Sequence, residues 1–428
     1  MSQGSIIEIN PAMCYGFTMA FYEENPAKVE RADLVVGIPS YNEAETIAYS
    51  AARAAEGLVQ FFGNKETVII NCDNNSRDGT RQTFLGTPTQ VPKIYLSTPP
   101  GVRGKGNNLM NLFAKVDQLG AQACIIVDAD LQTITPRWIK NLGEPLFMDF
   151  GFVTPLYARH KYDGTITNNI AYPLVRALYG RRVRQPIGGE FGFSGEMVRL
   201  FLDREFWNEE IAQFGIDIWM VTLAMVNDIP ICQAFMGRPK VHRPKDPGAE
   251  LGPMFTQVVG TIFGMMAPYE TRWRKVKWSK PTAVFGFGLG EVEEPPTVRV
   301  DRDRLYRRFT DGVRDFQGVW CRVLGPDVFA KLVEVKEMGK DYFDFPTQLW
   351  ARILFDYAIG YHKFETDRQT LLNSLIPLYY GKVYSFVQRT ERMSIQEAEE
   401  YIEDRCLIFE EARSYLDERW QAYRGQNG

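Results

Sequence analysis

The sequence is poor in the residues that usually hold structural metals or disulfides. Of its 428 residues only three are histidine and six are cysteine. The cysteines lie far apart and include no CxxC pair. We therefore expect neither a structural zinc site nor a disulfide framework. We expect the protein to work in a reducing, cytoplasmic setting.

Long apolar runs are also missing. The longest stretch without a charged residue, from Leu251 to Tyr269, has nineteen residues and contains two prolines. A membrane span needs about 20 mostly apolar residues, so this stretch predicts a core helix. Residues 1–10 have neither the basic start nor the apolar core of a signal peptide. We expect no stable membrane insertion.

The charge balance excludes a globally basic nucleic-acid binder. Lys plus Arg number 49 and Asp plus Glu number 53, which gives a net charge of −4. No nucleic-acid partner is therefore expected. The hydrophobic fraction of 45% is that of a globular protein, and the length suffices for two or three domains.

Short β-branched runs alternate with helical patterns in the first half of the chain, which predicts an α/β fold with a mostly parallel, Rossmann-like sheet. The predicted strands are 33–39, 67–72, 93–96 and 123–127, and the predicted helices are 43–62, one from about 80, and 107–119. Helical periods return near 301–324, 345–362, 368–391 and 394–421. We predict a catalytic domain over 1–270, a connector over 271–300 and an α-helical domain over 301–428.

The predicted connector opens with a basic, tryptophan-containing stretch. Residues 272–280 hold two arginines, three lysines and two tryptophans, Trp273 and Trp278. We interpret this stretch as a solvated connector, with contact to a membrane or a phosphate as the alternative. In the last predicted helix, Ser394 and Glu397 form a capping box.

Polar loops follow the predicted parallel strands, and such loops meet at one edge of the sheet, where ligands bind. Asp128 and Asp130, two residues apart after a buried strand, suit a hard divalent cation such as Mg²⁺ or Mn²⁺. A flexible Gly104-Lys105-Gly106 loop would bring an ammonium beside a diphosphate. The sequence contains no P-loop, and no GxGxxG follows the first strand.

A cation-rich segment lies between Gly151 and Gly189. It holds six basic residues and one acidic residue, Asp163, in an otherwise acidic protein. Arginine recognises carboxylates and phosphates in a bidentate manner. The segment therefore favours a small anionic ligand, although part of the charge must cover helix surface.

Seven motifs in order resemble the GT-A glycosyltransferases. They are Ile38-Pro-Ser-Tyr-Asn-Glu-Ala-Glu-Thr-Ile47, Asp73 with Asp78-Gly-Thr80, Arg103-Gly-Lys-Gly106, Asp128-Ala-Asp130, Gln185-Pro-Ile-Gly-Gly-Glu190, Phe214-Gly-Ile-Asp217 and Val241-His-Arg243. The later motifs are similar to those of mannosylglycerate, glucosylglycerate and glucosyl-3-phosphoglycerate synthases, which are retaining enzymes. The resemblance covers about residues 33–245, and it implies a GT-A domain followed by a helical region.

The resemblance also implies roles for individual residues. Nucleotide-sugar binding falls to Pro39, Tyr41, Glu43, Asp73, Lys105, Asp128, Ala129, Gly188, Gly189 and Glu190. Asp217, Lys105 and the backbone of Ile187 lie at the reacting sugar; Arg159, Asp163 and Thr167 contact the acceptor; Asp130 and His242 bind the metal.

The implied reaction moves glucose or mannose from a UDP- or GDP-hexose to D-glycerate or a relative such as 3-phosphoglycerate, with a divalent metal ion as cofactor. A GT-A enzyme that acts on a polyprenyl phosphate or a saccharide is the alternative, although the QxxRW motif common in such enzymes is absent. A non-catalytic nucleotide-sugar binder is a second alternative. The sequence leaves a homodimer open.

Overall fold

The computed structural model describes residues 6–7, 21–241, 247–286, 293–364 and 367–427. The chain divides into two units: unit 1 comprises 1–158, 187–245 and 282–295, and unit 2 comprises 159–186, 246–281 and 296–428. These limits differ from the predicted ones at 270 and 300. Residues 159–186 and 246–281 group with the C-terminal helices because their own helices pack against them.

In the part of the chain that the structure describes, ten strands form one sheet, which lies in unit 1. They are β1 (Ile6–Ile7), β2 (Phe21–Glu24), β3 (Leu34–Ser40), β4 (Thr67–Asp73), β5 (Lys93–Ser97), β6 (Ala123–Ile126), β7 (Phe152–Leu156), β8 (Phe191–Ser194), β9 (Ile231–Phe235) and β10 (Ala283–Phe285). Their order is β1-β2-β5-β4-β3-β6-β8-β7-β9-β10. The parallel pairs are β5–β4, β4–β3, β3–β6, β7–β9 and β9–β10. The predicted α/β class with a mostly parallel sheet and a helical C-terminal region is confirmed.

The central strands β5, β4, β3 and β6 lie within one residue of their predicted bounds. All seven residues of β3 are buried. A strand covered on both faces reads as a continuous apolar run, and burial of each Val or Ile side chain contributes about 1.5–3 kcal/mol. Hydrophobicity therefore fixes these four strands.

The helices connect and cover the strands of unit 1 and build most of unit 2. In chain order they are α1 (Ile47–Phe62), α2 (Thr80–Gly86), α3 (Lys105–Gln118), α4 (Pro136–Gly143), α5 (Tyr172–Tyr179), α6 (Gly195–Leu202), α7 (Glu209–Ala212), α8 (Ile216–Val226), α9 (Pro247–Met266), α10 (Glu270–Trp273), α11 (Arg302–Val323), α12 (Pro326–Lys336), α13 (Thr347–Lys363), α14 (Arg368–Thr390), α15 (Ile395–Glu411) and α16 (Arg413–Asn427). A π-helical turn, Thr167–Ala171, precedes α5, and two short 3₁₀ helices span Glu144–Phe147 and Lys340–Tyr342.

The C-terminal helices follow the predicted periods closely. The capping box of α15 is confirmed, since Ser394 Oγ accepts from Glu397 N at 3.1 Å and Glu397 Oε2 accepts from Ser394 N at 2.6 Å. The predicted helix 394–421 is two helices that break at Ala412. Helix α12 was not predicted.

The uncharged stretch that begins at Leu251 lies largely in α9, as predicted for a core helix. Phe255, Val259 and Phe263 on this helix are fully buried. Among the described residues, no helix is long and apolar enough to cross a membrane.

The predicted connector contains regular structure. Its first residues complete α10, and Ala283–Phe285 form β10, which pairs in parallel with β9. Residues 271–300 are therefore more than a connector, because part of them adds a strand to the sheet.

Candidate active site

The loops after β3 and β4 are tied together at Asp73. This buried carboxylate accepts hydrogen bonds from Ser40 Oγ at 2.9 Å, Tyr95 Oη at 2.8 Å, and Ser76 Oγ and N at 2.6 and 2.7 Å. Both carboxylate oxygens thus have partners within the protein, and the geometry gives Asp73 a structural role. Its contact with a nucleotide stays a prediction.

Two of the predicted nucleotide-binding residues lie in the loop after β3. The Tyr41 ring is 46% exposed, and the Arg103 guanidinium carbon lies 5.9 Å from its centroid. Glu43 is half-buried and its Oε2 accepts from Thr46 Oγ1 at 2.8 Å. Pro39 is buried inside β3. An exposed ring beside a cation is suited to stack on a base.

Lys105 begins α3 and joins two of the predicted carboxylates. Its Nζ lies 3.3 Å from Asp128 Oδ1 and 3.2 Å from Asp217 Oδ1. Burial lowers the pKa of Lys105, but the two carboxylates outweigh it and raise the pKa above its ordinary value. A charged ammonium is therefore held at the carboxyl ends of the strands, and its contact with a diphosphate stays a prediction.

The segment around Lys105 is not the flexible loop that the sequence predicted. A Cβ at Gly104 would lie 2.2 Å from Ala212 O, and one at Gly106 would lie 2.1 Å from Ile211 O. Gly106 N also donates to Gln213 O at 3.2 Å. A side chain at either glycine would clash with the backbone of α7 or of the residue after it. This close packing holds Lys105 in place.

Lys240 is a site residue that the sequence analysis did not assign. Its Nζ donates to Asp128 Oδ2 and Gly188 O, both at 2.8 Å, and to Glu190 Oε1 at 2.9 Å. The Glu190 carboxyl group also accepts from Tyr157 Oη. Lys240 precedes His242 by two residues, so its closeness to the Val241-His242 motif was the only sequence signal that could have pointed to it. No sequence signal pointed to Tyr157.

Asp217 lies in the first turn of α8, but it does not cap that helix. Its Oδ2 accepts from Gly189 N at 3.1 Å. Gly189 has φ 86°, and a Cβ there would lie 2.4 Å from Asp128 Oδ2. The structure thus brings Gly188 and Gly189, next to Ile187, together with Asp128, Lys105 and Asp217. Ala129 is buried beside Asp128.

The charges of this cluster balance when Glu190 carries a proton. Glu190 is fully buried, and burial raises its pKa to about 8 despite the ammonium of Lys240. At neutral pH two ammonium groups then face two carboxylates, Asp128 and Asp217. A cluster without excess negative charge is suited to receive a diphosphate.

We expect the ionisation of Glu190 to lower the melting temperature in EDTA as the pH rises from about 4.3 towards about 8. The folded chain keeps the proton of Glu190 in this window and the unfolded chain releases it, so stability is lost with rising pH. Glu190→Gln cannot ionise, so its melting temperature should fall less across this window than that of the wild type. Thermal melts of both proteins across this window test this; parallel curves would contradict it.

Asp130 is the better candidate for a metal ligand in the Asp128-Ala129-Asp130 motif. Asp128 contacts an ammonium group at each carboxylate oxygen, whereas Asp130 follows β6 and is buried. His242 lies outside the described residues. Among the described residues, no group of three or more His, Cys, Asp or Glu is placed to hold a metal ion.

The three predicted acceptor residues lie together in unit 2. Arg159 Nε is 3.8 Å from Asp163 Oδ2. The Arg159 Nη1 and Thr167 Oγ1 atoms lie 2.5 and 3.7 Å from the place where a Cβ would stand on Gly164. A glycine in this turn, with φ 64°, leaves room for the guanidinium.

Much of the positive charge between Gly151 and Gly189 is neutralised by α15. Arg184 forms two hydrogen bonds of 2.8 Å with Glu399, and Arg176 pairs at 2.5 Å with both Glu403 and Glu410. Lys161 donates to the carbonyl of Thr390, at the end of α14, at 2.7 Å. These side chains hold unit 2 together, so three of the six basic residues that favoured an anionic ligand have a structural role.

Residues 35–201 match the sequence profile of the family described as Glycosyl transferase family 2. The match runs from β3 to α6 and includes Lys105, Asp128 and Asp130. This part of the chain is a glycosyltransferase domain of the GT-A fold, which confirms the resemblance drawn from the motifs.

Solved structures give a more distant likeness. Glucosyl-3-phosphoglycerate synthase from Mycobacterium tuberculosis, in complex with Mn²⁺, UDP and phosphoglyceric acid, is 22% identical, with a TM-score of 0.43 over 55% of this chain and 79% of that one. Its complex with Mn²⁺, UDP-glucose and glycerol 3-phosphate is 20% identical, with a TM-score of 0.41 over 62% and 90%. No curated protein matches the sequence.

Proposed function

We propose that the protein transfers a hexose from a nucleoside diphosphate sugar to D-glycerate or a related small anion such as 3-phosphoglycerate, with retention at the anomeric carbon. The observation that carries the proposal is the Lys105 ammonium, held between Asp128 and Asp217 beside the Gly188-Gly189 backbone. This arrangement offers positive charge to a departing diphosphate and carboxylates to sugar hydroxyls.

The donor would lie along the carboxyl ends of the parallel strands. Tyr41, Pro39 and Glu43 would contact the base and ribose, with Asp73 holding their loop in place. Lys105 would lie along the diphosphate, and Asp217 would accept hydrogen bonds from the sugar. Ile187 and Gly188 would pass beneath the anomeric carbon. The bond from that carbon to the diphosphate breaks, the acceptor oxygen bonds to it, and the acceptor proton passes to the departing phosphate.

Asp130 and His242 would hold the divalent metal ion. Carboxylate oxygen and imidazole nitrogen are donors that suit Mn²⁺ or Mg²⁺ together with phosphate oxygens. When bound, the ion acts as a Lewis acid on the leaving diphosphate. Asp128 would remain outside the coordination sphere, engaged with Lys105 and Lys240.

The support for an anionic acceptor is the group formed by Arg159, Asp163 and Thr167, together with their match to the acceptor positions of the resembled synthases. Arg184 and Arg176 pair with α15, whereas the Arg159 guanidinium lies in the turn beside Thr167. We therefore assign Arg159 to the acceptor. D-Glycerate needs one such contact for its carboxylate.

A grid of UDP- and GDP-hexoses against D-glycerate, 3-phosphoglycerate and glucosylglycerate, each with Mg²⁺ or Mn²⁺, tests the proposal. We expect one donor and one small anion to stand out, with an α-linked product. Transfer to a polyprenyl phosphate or a polysaccharide, with none to the small anions, would favour the alternative acceptor class and overturn this one.

Arg159→Ala should raise the acceptor KM by about 10- to 100-fold, the loss expected for a charge-assisted hydrogen bond. Donor KM should change little, because the residues assigned to the donor lie in unit 1. Glycerol, which lacks the carboxylate, should be a poor acceptor for the wild type. Steady-state kinetics with each substrate varied in turn measure this. An unchanged acceptor KM would remove Arg159 from the acceptor site.

A further inference from the structure

One tryptophan of this protein points into solvent. Trp278 is 78% exposed, whereas Trp207 is half-buried and the other six are buried. Tryptophan is highly buried on average, so an indole that takes no part in core packing is unusual, and its neighbours decide whether it belongs to an interaction surface.

The backbone on both sides of Trp278 is firmly held within unit 2. Trp273 is buried, donates its Nε1–H to Met266 O at 2.7 Å and packs edge-to-face on Trp420. The Arg413 guanidinium donates to the carbonyls of Trp273 and Val276.

The C-terminal side of this loop is held as well. Ser279 Oγ donates to Glu410 Oε1 at 2.8 Å, and Lys280 N donates to Gly180 O at 2.9 Å. The loop from 274 to 280 is therefore a fixed part of unit 2, not the solvated connector predicted from sequence, and it holds the indole outward.

Four basic side chains lie on this loop or on the segment that pairs with it. Lys275, Lys277 and Lys280 are exposed and Arg181 is half-exposed, and the backbone of Arg181 bridges to that of Lys280. Within the described residues, none of these four side chains is joined to a carboxylate. Two carboxylates that contact this part of the chain are already paired, Glu410 with Arg176 and Glu270 with Arg274. We call Trp278 with these four cations the Trp278 surface.

We propose that the Trp278 surface docks the protein on an anionic phospholipid membrane. Clustered lysines bind anionic headgroups, and an indole inserts at the level of the headgroups. A second copy of the same surface would bring like charges together, which disfavours a symmetric dimer here. The proposal is independent of the transfer reaction, because it concerns peripheral binding by unit 2 alone.

Co-sedimentation with vesicles tests the proposal. The full-length protein should sediment with vesicles of phosphatidylcholine and phosphatidylglycerol, should stay in solution with phosphatidylcholine alone, and should be released by salt. Each lysine removed should weaken partitioning about five-fold, so Lys275→Glu, Lys277→Glu and Lys280→Glu together should abolish it. Trp278→Ser should weaken it several-fold. Brominated phosphatidylcholine in the anionic vesicles should quench tryptophan emission, and Trp278→Phe should remove that quenching.

The matched control reverses three exposed arginines on α11, Arg302, Arg304 and Arg307, to glutamate, which changes the net charge equally. This variant should keep its vesicle binding, and the melting temperatures should confirm that all variants fold. Equal loss in both triple variants, equal binding to neutral vesicles, or a stronger preference for a DNA oligonucleotide would overturn the proposal. A dimer that Trp278→Ser dissociates would also overturn it.

Discussion

Asp130→Ala is expected to lower the rate of sugar transfer by about 10²–10³-fold, the usual cost of losing one charge-stabilising group. EDTA should stop the wild-type reaction, and Mn²⁺ or Mg²⁺ should restore it. The physical reason is that Asp130 is the carboxylate of its motif that suits a hard cation, since Asp128 is engaged by Lys105 and Lys240. His242→Ala should act in the same direction, because we assign His242 to the same metal ion.

A carboxylate elsewhere in unit 1 provides the control. Asp117 lies on α3 and is partly exposed, and among the described residues its carboxylate contacts only Arg199, at 3.9 Å. Asp117→Ala should therefore keep wild-type turnover and the same metal dependence. Activity measured against metal concentration separates the two variants, because loss of a ligand raises the concentration needed for half-maximal rate. Full turnover in EDTA would refute the metal assignment.

The parts of this fold that could be predicted are those that local sequence determines. β3 and β4 are continuous apolar runs, and the helix α1 shows its buried face at Ile47, Ala51, Ala54 and Leu58. Such patterns need no knowledge of distant residues.

Strands β7 and β8 could not be predicted, because their signal is weak and their pairing is tertiary. β8 has only four residues, Phe-Gly-Phe-Ser, and β7 contains Pro155. β8 enters antiparallel between β6 and β7, a placement that depends on chain segments far apart. β10 was missed for the same reason, since its three residues form a strand only by pairing with β9.

Some residues of the candidate site could likewise be predicted from local sequence, and others could not. Positions in motifs identified Lys105, Asp128 and Asp217, and the structure places them in one ion-paired cluster. Lys240 reaches Asp128 across 112 residues, and its role follows only from the folded chain. The cation-rich segment was overestimated as a binding feature, because the glutamates that neutralise Arg176 lie more than 220 residues away on α15.

Lys105→Ala should lower both kcat/KM and stability, and the two effects have separate causes. Transfer should fall by about 10²–10³-fold, because the leaving diphosphate loses a fixed ammonium. The free energy of unfolding should fall by about 1–3 kcal/mol, because Asp128 and Asp217 lose a partner in a site where little solvent reaches them. The packing of Gly104 and Gly106 on the backbone at Ile211 and Ala212 should preserve the loop itself.

Another lysine of the same helix separates catalysis from stability. Lys115 pairs with Glu23 at 2.8 Å, and both side chains are almost fully buried. Lys115→Ala breaks a buried ion pair ten residues further along α3, so it should lower the melting temperature at least as much as Lys105→Ala does. Its kcat, measured well below that temperature, should stay near the wild-type value, whereas the kcat of Lys105→Ala should not. A second comparison adds Asp217→Asn to Lys105→Ala, which should recover stability by removing the unpaired charge but should not recover transfer. If Lys105→Ala melts early yet turns over donor and acceptor at the wild-type rate, the ammonium has no part in the reaction and serves only to hold Asp128 and Asp217 together.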